Sequence, residues 1–331
     1  MMDPLSLVFL SSLLLPFQGG KEGVPPKDTI PASRPKAPPL RSLGKGICHL
    51  KPKRVLDLRL GRGGLPGKGR WDLSALLKSY ASFGTDGLVI EIADTKSDWA
   101  QLPNLLERLD RLDRIQAKAW IAIRPPSLGA NSEPFLGNFI RWAEEIAKLA
   151  ARHPSLVALY IPQIFQGKNL FILHPGRLER MRAALRPQGV NLVGQFYDLI
   201  PENLGDYGPL LDGIVIQYTN TQSALNLDSF LFMAKKVAPN HWKVLGGYSL
   251  GLSRNNKTTP PPWLVSYFLR HAMLRCDGFL LDGLQGGPGG ELQITNPKLS
   301  DREQRQYVGA LLESVRKYRK LRPLPQKKNS K

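Results

Sequence analysis

Eight short apolar runs alternate with segments of helical periodicity, and this alternation constrains the fold more than any other feature of the sequence. Each run has five to seven residues, and most are rich in β-branched or aromatic residues, as strands buried in a parallel sheet are. The runs are Val55–Leu60, Leu88–Ala93, Ala117–Ile123, Leu156–Ile161, Asn191–Tyr197, Ile214–Tyr218, Val244–Leu250 and Phe279–Leu284. Eight such units predict an α/β fold, the closed (β/α)8 or TIM barrel.

The segments between these runs have apolar residues three and four positions apart, as amphipathic helices do. They are Asp72–Tyr80, Trp99–Ile115, Pro134–Ala151, Pro175–Leu185, Leu225–Val237 and Pro261–Leu274, with a closing helix at Asp301–Tyr318. An open, doubly wound sheet is the alternative. Its first turn would normally carry a nucleotide-binding loop, and Gly61–Gly69 (GRGGLPGKG) matches neither pattern of that kind. The closed barrel is therefore favoured.

The first 53 residues divide into two parts. Leu5–Phe17 is an apolar run of 13 residues, the length of a signal-peptide core and too short to span a bilayer, so residues 1–20 are predicted to be a signal peptide. Residues 21–53 are rich in Pro and Lys and predict a solvated linker. The predicted barrel domain is 54–320, followed by a basic tail at 321–331. From composition, residues 19–47 and 322–331 are expected to make no packed contacts.

The net charge of +19 is carried mainly by the two ends of the chain. Residues 21–54 and residues 301–331 each have a net charge of +7, whereas residues 55–300 have only +6. Nucleic-acid binding by the barrel is therefore not expected. The predicted signal peptide implies that the mature chain is secreted, periplasmic or in the cell envelope. No run after the first approaches the ~18 apolar residues of a membrane span, so no transmembrane segment is predicted in it.

Polar residues interrupt the apolar strands near their C-terminal ends, where the sites of this fold lie. Burying them costs free energy unless they have partners or a purpose. Alternation along each strand predicts an inward-facing set: Asp57, Arg59, Glu91, Arg124, Gln163, Gln195, Tyr197, Gln217, Tyr248 and Asp282. Tyr218 and Trp263 also lie at or beyond strand ends. Aromatic rings there suit the faces of sugars, or they pack under loops.

The charged members of this set lie on strands eight, one, two and three, which are neighbours in a closed barrel. Glu91, Asp282 and Asp57 are the candidate catalytic acids, and Arg59 and Arg124 would set the pKa and the orientation of their carboxyl groups. The alternative is a network of ion pairs that fills the barrel core. The remaining polar and aromatic residues, with both arginines, are candidates for substrate binding. The five histidines show no ligand spacing, so neither a metal site nor a cofactor is predicted.

The two cysteines precede predicted strands one and eight. Cys48 and Cys276 would then lie at the same rim of the barrel. An exported protein permits a disulfide there. The sequence leaves open whether they are bridged or remain two free thiols.

Two longer segments resemble secreted bacterial glycoside-hydrolase-like TIM-barrel proteins. Arg141–Ile161 is similar to their third helix and fourth strand, and Lys243–Met273 with the following DGFLLDG is similar to strands seven and eight. The resemblance implies a barrel that acts on carbohydrate. In those proteins strand four ends in an acidic pair, where this chain has Pro162-Gln163, and the end of strand seven also lacks a carboxylate. Retaining hydrolysis by the usual layout is therefore not expected.

The sequence thus predicts an exported barrel that hydrolyses or only binds carbohydrate, including anionic glycans. It does not decide between these two activities. A non-enzymatic envelope or scaffold protein, which holds an anionic polymer through its basic tails, is the alternative. The oligomeric state is not indicated.

Overall fold

Eight parallel strands close into a barrel in the computed structural model. It describes residues 38–51, 54–56, 69–92, 96–112, 117–128, 132–196, 205–218, 227–237, 243–250, 260–286, 292–294 and 299–318. The barrel strands are β1 (Gly46–Lys51), β4 (Gly87–Ile92), β5 (Lys118–Ile123), β6 (Leu156–Ile161), β7 (Asn191–Phe196), β8 (Gly213–Tyr218), β9 (Lys243–Ser249) and β10 (Gly278–Gly286). Each pairs with the next in this order, and β1 also pairs with β10, which closes the sheet. The predicted (β/α)8 barrel is confirmed.

Helices cover the outside of the barrel and connect successive strands. They are α1 (Leu73–Phe83), α2 (Lys96–Asp110), α3 (Phe139–Ala150), α4 (Asn169–Ile172), α5 (Pro175–Leu185), α6 (Leu227–Val237), α7 (Pro262–Arg275) and α8 (Asp301–Tyr318). Polar side chains cap α1, α3 and α8: Asp72 accepts a hydrogen bond from the Ala75 N–H, Asn138 accepts one from the Arg141 N–H, and Ser300 Oγ accepts one from the Glu303 N–H. No helix in the described part of the chain is long and apolar enough to cross a membrane.

The first barrel strand is not the one that the sequence predicted. Strand one is Gly46–Lys51, within the segment assigned to the linker, whereas Arg54–Leu56 (β2) forms an antiparallel pair with Gly69–Trp71 (β3). Residues 57–60 of the predicted strand lie outside the described residues. A third short strand, β11 (Leu292–Ile294), adds to β10 in antiparallel orientation. The prediction of Val55–Leu60 as strand one is therefore wrong, and the remaining seven predicted strands match within two residues at each end.

Residues 38–45 run across the N-terminal end of the barrel. The Leu43 side chain joins the apolar cluster inside the barrel, and its carbonyl accepts a hydrogen bond from Trp120 Nε1 at 3.2 Å. Arg41 donates side-chain hydrogen bonds to the carbonyls of Ala150, His153 and Leu156. The expectation that residues 19–47 make no packed contacts is therefore wrong for residues 38–47. Residues 19–37 and 322–331 lie outside the described residues.

Two apolar clusters form the core. The larger fills the space between strands and helices, and the smaller fills the barrel interior. Trp120 and Tyr160 meet edge to face inside the barrel, with ring centroids 5.9 Å apart. The middle of the barrel is therefore apolar. Below it Asn191, the first residue of β7, donates hydrogen bonds to the carbonyls of Arg41 and Val157, and above it the inward polar residues lie towards the C-terminal ends of the strands.

Both cysteines are free thiols buried outside the barrel wall. Cys48 lies within β1, not before it, and burial raises the pKa of its thiol to about 12. We therefore expect neither thiol to react with Ellman's reagent in the folded protein at pH 8, because both side chains are buried from the reagent and the thiolate of Cys48 is disfavoured as well. Both should react in guanidinium chloride. Rapid labelling of one or both under native conditions would contradict this burial.

Candidate functional site

Glu91 and Arg124 form an ion pair at the C-terminal ends of β4 and β5. Glu91 alternates with Val89, and Arg124 with Trp120 and Ala122, so both point to the barrel interior. Arg124 Nε donates to Glu91 Oε1, and the two side chains are only 29% and 18% exposed. The Arg124 backbone N–H donates to Ser132 Oγ at 2.8 Å, which fixes the arginine's position. One predicted acid and one predicted cation are thus brought together.

A row of neutral amides continues around the barrel from β6 to β8. Gln195 Nε2 donates to Gln217 Oε1 at 2.9 Å, and Gln195 Oε1 accepts from the Gln163 N–H at 3.3 Å. Gln195 and Gln217 are 6% and 3% exposed, and Gln163 is half-buried at the end of the row. Gly247 of β9 leaves space for the Gln217 side chain, since a Cβ at position 247 would collide with Gln217 Oε1. We call Gln163, Gln195 and Gln217 the amide row.

The backbone at Gln163 is held in a left-handed conformation. Its φ of +52° is uncommon for a residue other than glycine and costs free energy. Asn169, fully buried at the start of α4, holds this turn: its Nδ2 donates to the Gln163 carbonyl at 2.8 Å and to Ser127 Oγ at 2.6 Å. Its Oδ1 accepts from the Ser127 N–H. The loops after β5 and β6 are therefore tied together beneath Gln163.

Asp282 lies at a β-bulge in β10. Cys48 pairs with Leu281 and Leu50 pairs with Leu284, so two residues of β10, Asp282 and Gly283, stand opposite one residue of β1. Gly283 has a φ of +87°, and Asp282 Oδ1 accepts a hydrogen bond from its N–H at 2.6 Å. Bulges re-aim side chains and are frequent next to active sites. β1 separates β10 from β4, which carries Glu91.

Other predicted site residues lie elsewhere. The inward orientation predicted for Tyr248 is wrong: this side chain lies on the outer face of β9 and packs against Phe268 of α7 with centroids 4.8 Å apart. Burial raises the pKa of its hydroxyl to about 12. Trp263 lies on the first turn of α7 and is 66% exposed. Asp57, Arg59, Tyr197 and the side chain of Tyr218 lie outside the described residues.

Asn169 and Ser127 are the site residues that sequence reasoning missed. Neither lies on a strand, so strand alternation does not single them out. A buried asparagine just after a strand end could have been a signal, because it satisfies backbone groups that a loop leaves unpaired. Among the described residues, no group of three or more His, Cys, Asp or Glu side chains could hold a metal ion.

Comparison with known proteins finds similarity only at the level of structure. No protein-family model and no curated protein matches the chain. Eubacterium rectale Amy13B superposes with a TM-score of 0.51 at 9% identity, over 86% of this chain and 81% of that one. A chitinase from Chromobacterium violaceum has a TM-score of 0.49 at 11% identity, over 84% and 100% of the two chains. The GH99 endo-α-mannosidase from Bacteroides thetaiotaomicron has a TM-score of 0.47 at 13% identity, over 75% and 85%.

These structural neighbours are glycoside-hydrolase-like TIM barrels, and at such identities the likeness shows the fold alone.

Proposed function

We propose that the barrel mouth binds carbohydrate and that the protein is a glycan-binding barrel and not a glycoside hydrolase. The observation that carries this proposal is the amide row at the C-terminal ends of β6, β7 and β8. It lies at the end of the barrel where sites of this fold are found. The likeness of the fold to carbohydrate-active barrels supports a carbohydrate ligand.

Amides suit sugars because each carries both donors and acceptors. A sugar hydroxyl also donates one hydrogen bond and accepts others, so a carboxamide pairs with it without any charge. Gln195 and Gln217 already orient one another. The half-buried Gln163 lies at the outer end of the row, its backbone is fixed by Asn169, and its Oε1 accepts a hydrogen bond from Ser127 Oγ at 3.5 Å. Such preorganisation reduces the ordering cost of binding.

Binding is favoured over hydrolysis because of what the two described candidate acids contact. Glu91 forms an ion pair with Arg124, so the guanidinium group takes up hydrogen-bonding capacity of its carboxylate. Asp282 accepts from the Gly283 N–H within the bulge. Strand β6 ends in Ile161-Pro162-Gln163, without the acid that a retaining enzyme would place there. Glu91 and Asp282 then serve to shape the mouth.

We also propose that the protein is exported and meets its glycan outside the cytoplasm. The apolar run Leu5–Phe17, of signal-peptide length, supports export.

Replacement of Gln163 by glycine should separate binding from stability. The change removes the side-chain amide but keeps the left-handed backbone and its N–H, which glycine adopts without steric cost. We expect glycan affinity to fall by about tenfold, the value of one or two lost hydrogen bonds. The free energy of unfolding should stay unchanged or rise by up to about 1 kcal/mol. Isothermal titration with oligosaccharides found on a glycan panel, and thermal denaturation, measure the two effects.

Leu136→Gly is the matched control for this experiment. Among the described residues other than glycine, Leu136 is the second with a positive φ, +49°, and it is 49% exposed. It should show the same small change in stability with no loss of affinity. Equal affinity of Gln163→Gly and the unmodified protein would reject the amide row as the binding site. Release of reducing sugar by the unmodified protein on the same panel would show that it is a hydrolase instead.

A further inference from the structure

A cavity of about 620 Å³ lies at the end of the barrel opposite the mouth. It is bounded by the N-terminal ends of β5 and β6, by the end of α2, and by residues 38–45, which cross this end of the barrel. Its volume is that of a small-molecule site. Half of its lining is apolar and consists of Leu109, Leu112, Ala117, Pro154 and Val157. We call it the lower cavity.

Hydrogen bonds join the polar walls of the lower cavity to one another. Asp110 Oδ1 accepts the Ser155 N–H at 2.9 Å, and Asp110 Oδ2 lies 2.8 Å from His153 Nδ1. On another side, the Arg41 guanidinium donates to the carbonyls of His153 and Leu156. Both carboxylate oxygens of Asp110 and the terminal nitrogens of Arg41 are therefore engaged within the protein.

Lys118 is the charged residue of the lower cavity that the protein leaves without a partner. It begins β5 and alternates with Trp120 and Ala122, which face the barrel interior. Its half-buried side chain passes over Gly44, where a Cβ would lie 3.3 Å from Lys118 Cδ. The ammonium group makes no ion pair and no hydrogen bond with any residue that the structure describes. A cation removed from water in this way favours the binding of an anion.

Ser155 provides a second unpartnered group in the lower cavity. It is only 6% exposed, and its Oγ has no hydrogen-bond partner among the described residues. Buried hydroxyl groups are normally hydrogen-bonded, so one without a partner calls for a reason such as a bound ligand. A hydroxyl that can donate and an ammonium group in one partly apolar cavity suit an oxyanion.

We propose that the lower cavity binds a small carboxylate with an apolar chain. Its carboxylate contacts Lys118 and Ser155, and its chain packs against the apolar half of the lining. The charged lining residues Arg41, Lys118 and Asp110 sum to +1, which a monoanion balances. A phosphate dianion would exceed this charge and would leave the apolar half unused. The ligand would link β5 and β6, so binding stabilises the folded chain.

The test is isothermal titration of the full chain with hexanoate, together with the midpoint of its thermal unfolding. We expect hexanoate to bind and to raise the midpoint. Hexanamide has the same chain without the charge, and acetate has the charge without the chain. Each should bind at least about tenfold more weakly than hexanoate.

Lys118→Met removes the ammonium group and keeps a flexible apolar stem. It should weaken the binding of hexanoate at least about tenfold. The midpoint without ligand should stay unchanged or rise, because the lost charge has no partner in the protein. Lys148→Met is the matched control, since Lys148 lies on α3, is 68% exposed and pairs with Glu145.

Ser155→Ala tests the second group independently of any charge. Because the hydroxyl has no partner within the described protein, its loss should leave the midpoint without ligand unchanged or higher. Hexanoate should bind about threefold more weakly or worse. A merely structural role of Ser155 would instead lower the midpoint and leave the affinity unchanged.

Three outcomes would overturn the proposal. The first is that the unmodified chain does not bind hexanoate, and the second is that Lys118→Met binds it equally well. The third is that acetate binds as tightly as hexanoate, which would indicate a site for any small anion. Gln163→Gly, changed at the opposite end of the barrel, should bind hexanoate normally. These results therefore do not depend on whether the mouth binds glycan.

Discussion

Alanine in place of Gly278 is expected to lower the free energy of unfolding by about 3 kcal/mol, because it overpacks a place where only backbone is present. Gly278 begins β10, and a Cβ there would collide with the Lys45 carbonyl oxygen and lie 2.8 Å and 3.0 Å from the carbonyl carbon and Cα of Lys45. That carbonyl cannot simply move away, since it accepts the Phe279 N–H at 2.9 Å. Either the β1–β10 closure or the segment that crosses the barrel end must shift.

Gly309→Ala gives the same chemical change with the opposite expected sign. Gly309 is exposed within α8, and a Cβ there meets no atom within 4 Å. Helix propensity alone should then stabilise the protein by about 0.5–1 kcal/mol. Urea denaturation of the two variants beside the unmodified protein measures the contrast. A loss below about 1 kcal/mol for Gly278→Ala would mean that strand eight closes on strand one less tightly than the structure shows.

Seven barrel strands were predictable because each is a mainly apolar run between helical segments, interrupted by few polar residues. Strand one escaped because GICHLK contains a glycine, a histidine and a lysine, and no run of apolar residues. The nearby VLDLRL has the alternation of a strand, and β2 indeed begins there, but it pairs in a hairpin. Which of two adjacent segments enters the barrel is decided by the strand it pairs with, here β10, which is far away along the chain. The local sequence pattern carries no information about that partner.

The residues of the candidate site were predictable where the alternation of side chains along a strand alone decides which of them face the barrel interior. Glu91, Gln195 and Gln217 face inward as their spacing from apolar neighbours indicated. At β9 the same reasoning predicted that Tyr248 faces inward, whereas Gly247 occupies the inward position. The structure shows that Gly247 faces Gln217, so the absence of a side chain is what the mouth requires there. The clamp formed by Asn169 depends on loop geometry and has no periodic signal.

Arg41→Ala is expected to destabilise the protein by about 2–3 kcal/mol. The Arg41 guanidinium donates to the carbonyls of His153 at 3.0 Å and Leu156 at 2.8 Å through Nη1, and to Ala150 at 3.0 Å through Nη2. Burial lowers the pKa of Arg41, and the charge of Asp110 opposes this effect. Hydrogen bonds from a charged donor contribute about 1.5–3 kcal/mol each, and the total is smaller here because the site is partly exposed and water can replace some of them.

Arg111→Ala is the control for the loss of an arginine as such. Arg111 is 75% exposed and pairs with Glu107 one helical turn away, so its removal should cost no more than about 0.5 kcal/mol. Chemical denaturation measures the free energy of unfolding of both variants. It thereby compares an arginine that joins distant parts of the chain with an exposed arginine that pairs only one helical turn away. Equal small effects would show that the crossing of residues 38–45 does not depend on Arg41.

Arg41→Lys separates the charge of this residue from its shape. Ala150 ends α3, so a cation at this place also interacts favourably with the negative end of the helix dipole, and lysine would keep that contribution of about 0.3–1 kcal/mol. Lysine cannot reproduce a planar fork that reaches three carbonyls from two nitrogens. We therefore expect Arg41→Lys to lose more than half of the stability that Arg41→Ala loses. Near-complete retention would assign the role of Arg41 to charge alone, and the N-terminal segment would then be held mainly by Leu43 inside the barrel.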